Sequence, residues 1–377
     1  MTAAASPMRI VILGLSITSS WGNGHATTYR GLVRELVRRG HDLLFLERDM
    51  PWYAQHRDLA RPPWGRTALY ADTEDLRRAH EADIAGADLV IVGSFVPDGV
   101  AVGDWVQSLA PGRCAFYDID TPVTLAGLAQ GGTPYLAARQ IAGYALYLSF
   151  TGGPTLKRLE REFGAPAARV LYCSVDAHAY YPEPMAQKTC DLGYMGTYSE
   201  DRQPTVEALL LEPARRWPAG RFELAGPQYP KTLAWPPNLQ HFEHLPPARH
   251  RAFYNRQRFT LNVTRADMIQ AGWSPSVRLF EAAACATPII SDRWPGLESL
   301  LVPGREILLA ETPAEVLHLL QDLPDDERRA VGERARQRIL SGHTSAHRAA
   351  ELERHARRLT PAAAADAAAD GPGTNVP

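Results

Sequence analysis

The sequence predicts an α/β protein made of two Rossmann-like, doubly wound parallel-sheet domains that face one another across a cleft. Three observations carry this. Short apolar runs, as expected of strands buried on both faces, alternate with longer segments of helical spacing. The alternation, which builds a parallel sheet flanked by helices, occurs twice. An irregular stretch bearing Pro182 and Pro184, Tyr181–Thr189, separates the two series. At 377 residues the chain is long for one domain and comfortable for two.

The elements follow in order. Arg9 to Leu13 is a first apolar strand, and a Ser-, Thr- and Gly-bearing loop follows it. From Thr28 to Arg39 the apolar residues Leu32, Val33, Leu36 and Val37 take helical spacing, and Gly40 stands where a C-terminal cap belongs. Leu43–Leu46 is a second strand. Further strands are expected at Leu89–Val92, Cys114–Tyr117, Tyr147–Phe150 and Val170–Cys173, with a helix opened by Pro154 and closed by Gly164. The rhythm restarts with Leu192–Met195, Phe222–Ala225, Leu239–Phe242, Phe259–Val263, Pro288–Ser291 and Ile307–Leu309. Asp325 to Leu359 is helical and charged. These signals divide the chain into a first domain at 1–180 and a second at 181–345, followed by a helix at 346–359. Residues 360–377, of Ala, Asp, Gly and Pro without periodicity, are expected to be a disordered tail.

Composition narrows the function. Apolar residues at 45% and charged residues at 22% suit a globular protein with real cores. A formal net charge of −2 gives no overall attraction to nucleic acid or to an anionic membrane, so neither is expected as a partner. Only three of the 40 basic residues are lysines, so a phosphate-binding cation is expected to be arginine, whose planar fork grips two oxygens at once. The four cysteines have no metal-ligand spacing, and three read as small core residues. No apolar run reaches 18 residues, and the stretch Ile10–Ile17 reads as a strand rather than a signal-peptide core. A cytoplasmic protein without a membrane span is expected.

In doubly wound sheets ligands bind at the carboxyl ends of the strands, so the loops leaving those ends hold the candidate chemistry. The first, GLSITSSWGNGHATTYRG, contains Gly22-x-Gly24, which invites a dinucleotide reading with Glu47, at the end of the next strand, as the ribose acid. A dinucleotide site is not the expectation. Eight residues separate Leu13 from Gly22, and Thr27 occupies the third glycine position. A cleft-lining loop fits better, with His25 either functional or simply a polar first-turn residue. The loop Asp118-Ile119-Asp120-Thr121-Pro122 either caps a helix, with Thr121 at the cap, or offers Asp118 and Asp120 to hydroxyl groups. Thr151-Gly152-Gly153-Pro154 is at least a turn into a helix. In the second half, Ser274 is read as a cap and Pro275 as the first helical residue, leaving free amides for a phosphate. Arg278 and Glu281, three apart, share a face. They either hold a diphosphate and a ribose or form an exposed ion pair, and the spacing alone slightly favours the pair.

The run SPSVRLFEAAACATPIISDRWPGLESLLVPGREILL resembles the donor-side motif of GT-B glycosyltransferases, in which F-E-A precedes A-C-G-x-P and a strand. It is most similar to the spore-maturation-protein-B-like glycosyltransferases. The segments YDIDTPVT, SFTGGP, LGYMGTYSEDRQP, FELAGPQYP and FTLNVTRADM extend that resemblance over roughly residues 9–355.

The resemblance implies a nucleotide-sugar donor, UDP- or GDP-linked, as substrate rather than cofactor, and an acceptor that is a glycan, protein or small molecule. It implies that Glu281 binds the donor ribose, that Gly196 begins the phosphate-facing loop, and that Arg278 or Arg202 neutralises the diphosphate. It also implies that the C-terminal helices pack back toward the first domain. The expected donor set is Gly196, Arg202, Arg265, Ser274, Ser276, Arg278 and Glu281; His25, Asp118 and Asp120 are the catalytic candidates on the acceptor side. Metal-independent transfer with retention is expected. Three departures stand against the family pattern. Trp273 occupies the position eight before Glu281 where many retaining enzymes carry a second glutamate, leaving that contact absent or supplied by a group such as Asp267. Thr197 and Tyr198 leave Arg202 alone where an Arg and Lys pair is common, and Ala286 stands where glycine is usual. Two alternatives follow: a degenerate nucleotide- or glycan-binding surface-assembly protein without turnover, and a sugar-nucleotide epimerase.

Overall fold

The computed structural model describes residues 6–183 and 188–359. Two wholly parallel sheets organise it. The first has the order β3-β2-β1-β4-β5-β6-β7, formed by Arg66–Tyr70 (β3), Asp42–Arg48 (β2), Arg9–Gly14 (β1), Leu89–Gly93 (β4), Cys114–Asp118 (β5), Leu146–Ser149 (β6) and Ala168–Val170 (β7). The second has the order β10-β9-β8-β11-β12-β13. Its strands are Leu239–Phe242 (β10), Phe222–Ala225 (β9), Cys190–Met195 (β8), Gln257–Asn262 (β11), Ile289–Ser291 (β12) and Leu308–Leu309 (β13). In register, Val11 of β1 lies between Leu44 and Val90, and Leu192 of β8 between Phe222 and Phe259.

Both sheets carry apolar cores on their two faces, which is why strands such as β1 and β4 read as apolar runs rather than alternating ones. In each sheet the strand order reverses beside the first strand of its series, between β1 and β4 and between β8 and β11, and this reversal opens a crevice at the carboxyl edge. The two-domain α/β fold read from the sequence is present.

Local boundaries differ in instructive ways. β3 was not anticipated, because an edge strand with one buried residue, RTALY, carries little apolar signal. The last strand of the first sheet ends at Val170, so the expected Val170–Cys173 strand is instead the chain leaving the sheet, with Leu171 and Cys173 buried. The first helix begins at His25 rather than Thr28. The final helical stretch is two helices, Asp325–Gly342 and Ser345–Arg357. They part where Val175 forms a parallel bridge with Thr344, so the two passages of the chain between the sheets touch.

Helix Ser345–Arg357 lies on helix His25–Arg38 of the first sheet. Ala349, Leu352 and Ala356 join Leu32, Val33 and Leu36 in one core. Gly31 permits this approach, since a Cβ there would stand 2.3 Å from Ser345 Oγ. The 360–377 segment lies outside the described residues. No helix among them is long and apolar enough to cross a membrane.

Candidate active site

The carboxyl edges of the two sheets enclose a cleft of about 390 Å³. Of the residues singled out from sequence, His25, Asp120, Gly196, Arg202, Arg265, Ser276, Arg278 and Glu281 line it. Asp118 and Ser274 do not; both are buried behind its wall.

On the second-domain side the helix Val277–Ala284 points its first turn into the cleft. Its cap is Ser276, not Ser274, and the Ser276 hydroxyl donates to Asn262 Oδ1 at 2.9 Å instead of bonding the helix amides. Ser274 lies two residues earlier, outside the helix, with its hydroxyl 2.9 Å from Thr151 Oγ1 of the first domain, where it joins the two halves. The exposed ion pair between Arg278 and Glu281 does not exist. The two residues are 6% and 3% exposed and bond to different partners. Arg278 donates from Nε to the Met195 carbonyl at 2.6 Å and from Nη1 to Asn262 Oδ1 at 2.8 Å, with its guanidinium 4.8 Å from the Tyr194 ring centre. Glu281 Oε2 accepts from the Tyr254 hydroxyl at 3.0 Å, and His250 Nδ1 lies 3.8 Å away.

Glycines let the loops close around this arginine. A Cβ at Gly196 would lie 3.0 Å from Arg278 Nη2, and one at Gly226 would collide with the Gly196 carbonyl at 1.9 Å. The loops after β8 and β9 therefore meet backbone to backbone, as a close approach to a ligand phosphate requires. Arg202 is held at the rim by Ser199 Oγ at 2.9 Å and by the Thr197 carbonyl.

On the first-domain side, Asp120 occupies the N-cap position of helix Thr121–Ala129 but makes no side-chain cap bond. Thr121 is not the cap; its hydroxyl lies 2.8 Å from Ser149 Oγ. The Asp120 carboxylate is free to face the cleft, where Arg265 of the second domain approaches to 3.6 Å. Desolvation raises its pKa to about 6, with Arg265 opposing. Asp118 plays a different part. Its carboxylate accepts from Tyr147 OH at 2.5 Å, from Thr124 Oγ1 at 2.8 Å and from the Asp120 amide at 3.2 Å, so it fixes the backbone that presents Asp120. Burial raises it also to about 6. His25 is the first residue of its helix and packs edge-on to Phe95; desolvation lowers it to about 4, leaving a neutral imidazole at ordinary pH.

Glu47 is no ribose acid. It is wholly buried and accepts from the amides of Ile17 at 2.7 Å and Thr18 at 3.0 Å and from the hydroxyls of Thr18 at 2.6 Å and Ser16 at 3.1 Å. It thereby shapes the glycine-bearing loop from below. Trp273 lies outside the cleft. Its indole occupies space that a Cβ at Gly153 or Gly296 would need, 2.5 Å away in each case, and its carbonyl accepts from the Gly152 amide at 2.9 Å. The Gly152-Gly153 turn is thus an inter-domain seat for Trp273. Asp267 lines a neighbouring depression with Pro122 and Gln270 rather than the cleft. Ala286 takes a left-handed φ of 54°, which is why glycine is usual there.

Sequence reasoning did not reach Asn262, Tyr254 and His250, which hold Arg278, Ser276 and Glu281 in place. Asn262 had a signal, a polar residue ending an apolar strand run. Tyr254 and His250 had none, since only the folded packing brings them to Glu281. Among the described residues no three His, Cys, Asp or Glu side chains are grouped as a metal site.

Residues 202–354 match the family model described as Glycosyl transferase-like. No match emerges among curated protein sequences. Solved structures share the whole fold at low identity. Anabaena HepE in complex with UDP-glucose matches with a TM-score of 0.67 at 12% identity, over 93% of this chain and 100% of that one. Sucrose-phosphate synthase from Thermosynechococcus elongatus gives 0.63 at 14%, over 93% and 99%. An alpha-glucosyltransferase in complex with UDP-glucose and DNA containing an abasic site gives 0.66 at 12%, over 93% and 100%. The architecture is the GT-B fold.

Proposed function

We propose that this GT-B chain, glycosyltransferase-like in residues 202–354, moves a sugar from a UDP- or GDP-linked donor to an acceptor hydroxyl, without a metal and with retention at the sugar carbon. The observation that carries the reading is the pair Arg278 and Glu281. They are buried side by side in the cleft wall, unpaired with each other, on the first turns of a helix whose amides face the same space. Burying both charges is costly unless a ligand or fixed polar group meets them. In this scheme Glu281, steadied by Tyr254, accepts from the donor ribose. Arg278, Arg202, Arg265 and the loop at Gly196 meet the diphosphate.

As the bond between the sugar carbon and the diphosphate oxygen breaks, the electron pair leaves with the nucleoside diphosphate, and the arginines stabilise its charge. The acceptor oxygen bonds to the sugar carbon from the same face, and its proton passes to Asp120, with His25 alongside. Asp118 acts through Asp120 as a positioning residue. The spore-maturation-protein-B-like group remains the assignment within the fold, and the cytoplasm the expected site of action. Trp273 at the sequence position where many retaining enzymes carry a second glutamate favours one competitor, a protein that binds nucleotide without turnover. Release of free nucleoside diphosphate from donor with time decides against that competitor.

Calorimetric titration with UDP, GDP and the plain nucleosides tests the assignment. Glu281→Gln should weaken nucleoside and nucleoside diphosphate alike by about tenfold or more, given about 1.5–3 kcal/mol for a charged hydrogen bond. Arg278→Lys, which keeps the charge but loses the fork, should weaken the diphosphate and spare the nucleoside. Unchanged affinities in a folded Glu281→Gln protein would sink the donor site. Transfer should also survive EDTA; loss of activity restored by Mg²⁺ or Mn²⁺ would refute the arginine scheme.

A further inference from the structure

Trp21 and Trp52 are 42% and 48% exposed, the two exposed tryptophans among the described residues. Their two segments meet at His56. Trp21 stacks on His56 with ring centres 4.6 Å apart and planes 20° apart, and His56 Nδ1 is 2.9 Å from the Trp52 carbonyl. The patch forms the lip of the cleft, because Ser20, Gly22 and Asn23 on either side of Trp21 line the cleft itself.

The segments that carry these two residues are joined by a rigid frame. Arg30 grips Asp58 with two bonds of 2.8 and 2.9 Å. Asp58 in turn accepts from the Ser20 amide at 2.9 Å and hydroxyl at 3.0 Å. Ser19 Oγ donates to the His56 carbonyl at 2.8 Å, and the Leu59 amide to the Thr18 carbonyl at 3.0 Å. The glycine-bearing loop and the segment after β2 are thus locked together, and a surface fixed beforehand costs little ordering on binding. An indole face attracts C–H groups through its negative quadrupole. A pyranose offers such a face on one side and hydroxyls around its edge, and Asp58, Arg57 and His56 supply polar partners at this rim. The charged surroundings suit that edge and oppose insertion into lipid.

Resting on the glycosyltransferase reading, we propose that Trp21 and Trp52 form an acceptor platform for a sugar ring, so that the acceptor is itself a saccharide or glycoside.

Saturation-transfer NMR on the full chain with maltotriose, cellotriose, chitotriose and, as a planar compound without sugar, p-nitrophenol tests this. At least one trisaccharide should bind in the millimolar range. Trp21→Ala and Trp52→Ala should each weaken it by about tenfold or more. Trp105→Ala, on the remote helix Gly99–Leu109, should not. UDP and GDP affinities should be the same in all variants. Three results overturn the platform: no trisaccharide bound by the native chain, binding unchanged in both lip variants, or p-nitrophenol bound in place of the sugars. Failure of the native chain to bind either nucleotide would instead strike the donor reading, and the saccharide titration would still decide the platform.

Discussion

At Asp120 one carboxylate is subject to two opposed influences, the desolvating cleft floor and the Arg265 guanidinium across from it. Its pKa of about 6 lies above the 3.8 of an unfolded aspartate, so the stability tied to this group is full below pH 3.8 and lost as pH rises through 6. Asn at this position escapes that loss. The difference corresponds to about 3 kcal/mol at most, and with the side chain 26% exposed we expect about 1–2 kcal/mol. Asp120→Asn should therefore be more stable than the native chain at pH 7.5, equal to it near pH 4, and severely impaired in transfer. Denaturant melts at the two pH values check the first part. The native kcat/KM should fall on the acid side with an apparent pKa near 6, a value belonging to the Asp118–Asp120 pair. An unchanged acid limb in Asp120→Asn would remove it from proton transfer. Which residues line the cleft was partly legible: the family resemblance singled out Arg278 and Glu281, whose spacing alone favoured an exposed pair. Their burial and their partners Asn262 and Tyr254 were not, because those contacts cross 16 and 27 residues of chain and exist only after folding.

Among the elements, the loop between β1 and the first helix shows how a strand end can be shaped from beneath. Glu47 anchors residues 16–18 through two amides and two hydroxyls, so Glu47→Gln should cost about 1.5–3 kcal/mol and leave the sheets intact. Hydrogen exchange at the Ile17 and Thr18 amides should quicken well beyond any change at β4 or β5; uniform quickening would mean that Glu47 supports the whole domain rather than the loop. The sequence showed the glycines of this loop and the acid that follows it, but not that the acid bonds the loop. Helices and buried strands were readable because both faces of each sheet are covered and strands such as β1 and β4 are apolar almost throughout. The edge strand β3 and the displaced β7 were not, since a half-exposed strand of a few residues carries almost no pattern.

For the whole molecule, the doubled βα rhythm was enough to foresee two parallel sheets with a cleft between their carboxyl edges. The seams that set the halves against each other rest on single contacts such as Trp273 against Gly153 and Ser274 against Thr151, which no periodicity encodes. One larger seam is the helix Ser345–Arg357 lying on the first sheet's own helix. A chain ending at residue 342 should leave Leu32, Val33 and Leu36 short of their cover, at about 1.5–3 kcal/mol for a large apolar side chain such as Leu352. Hydrogen-exchange protection should then fall over β1, β2 and helix His25–Arg38 more than over β8–β12; equal loss in both sheets would contradict this.

That same helix makes biosynthesis wait. The first sheet is complete in sequence by Val170, yet one of its layers is encoded after the entire second sheet. At about 5–20 residues per second, the unfinished face stays open for roughly 10–35 seconds of translation. During that interval the nascent first half offers Leu32, Val33 and Leu36 to whatever apolar surface it meets, and a chaperone holding the chain there would be released by its own last helix.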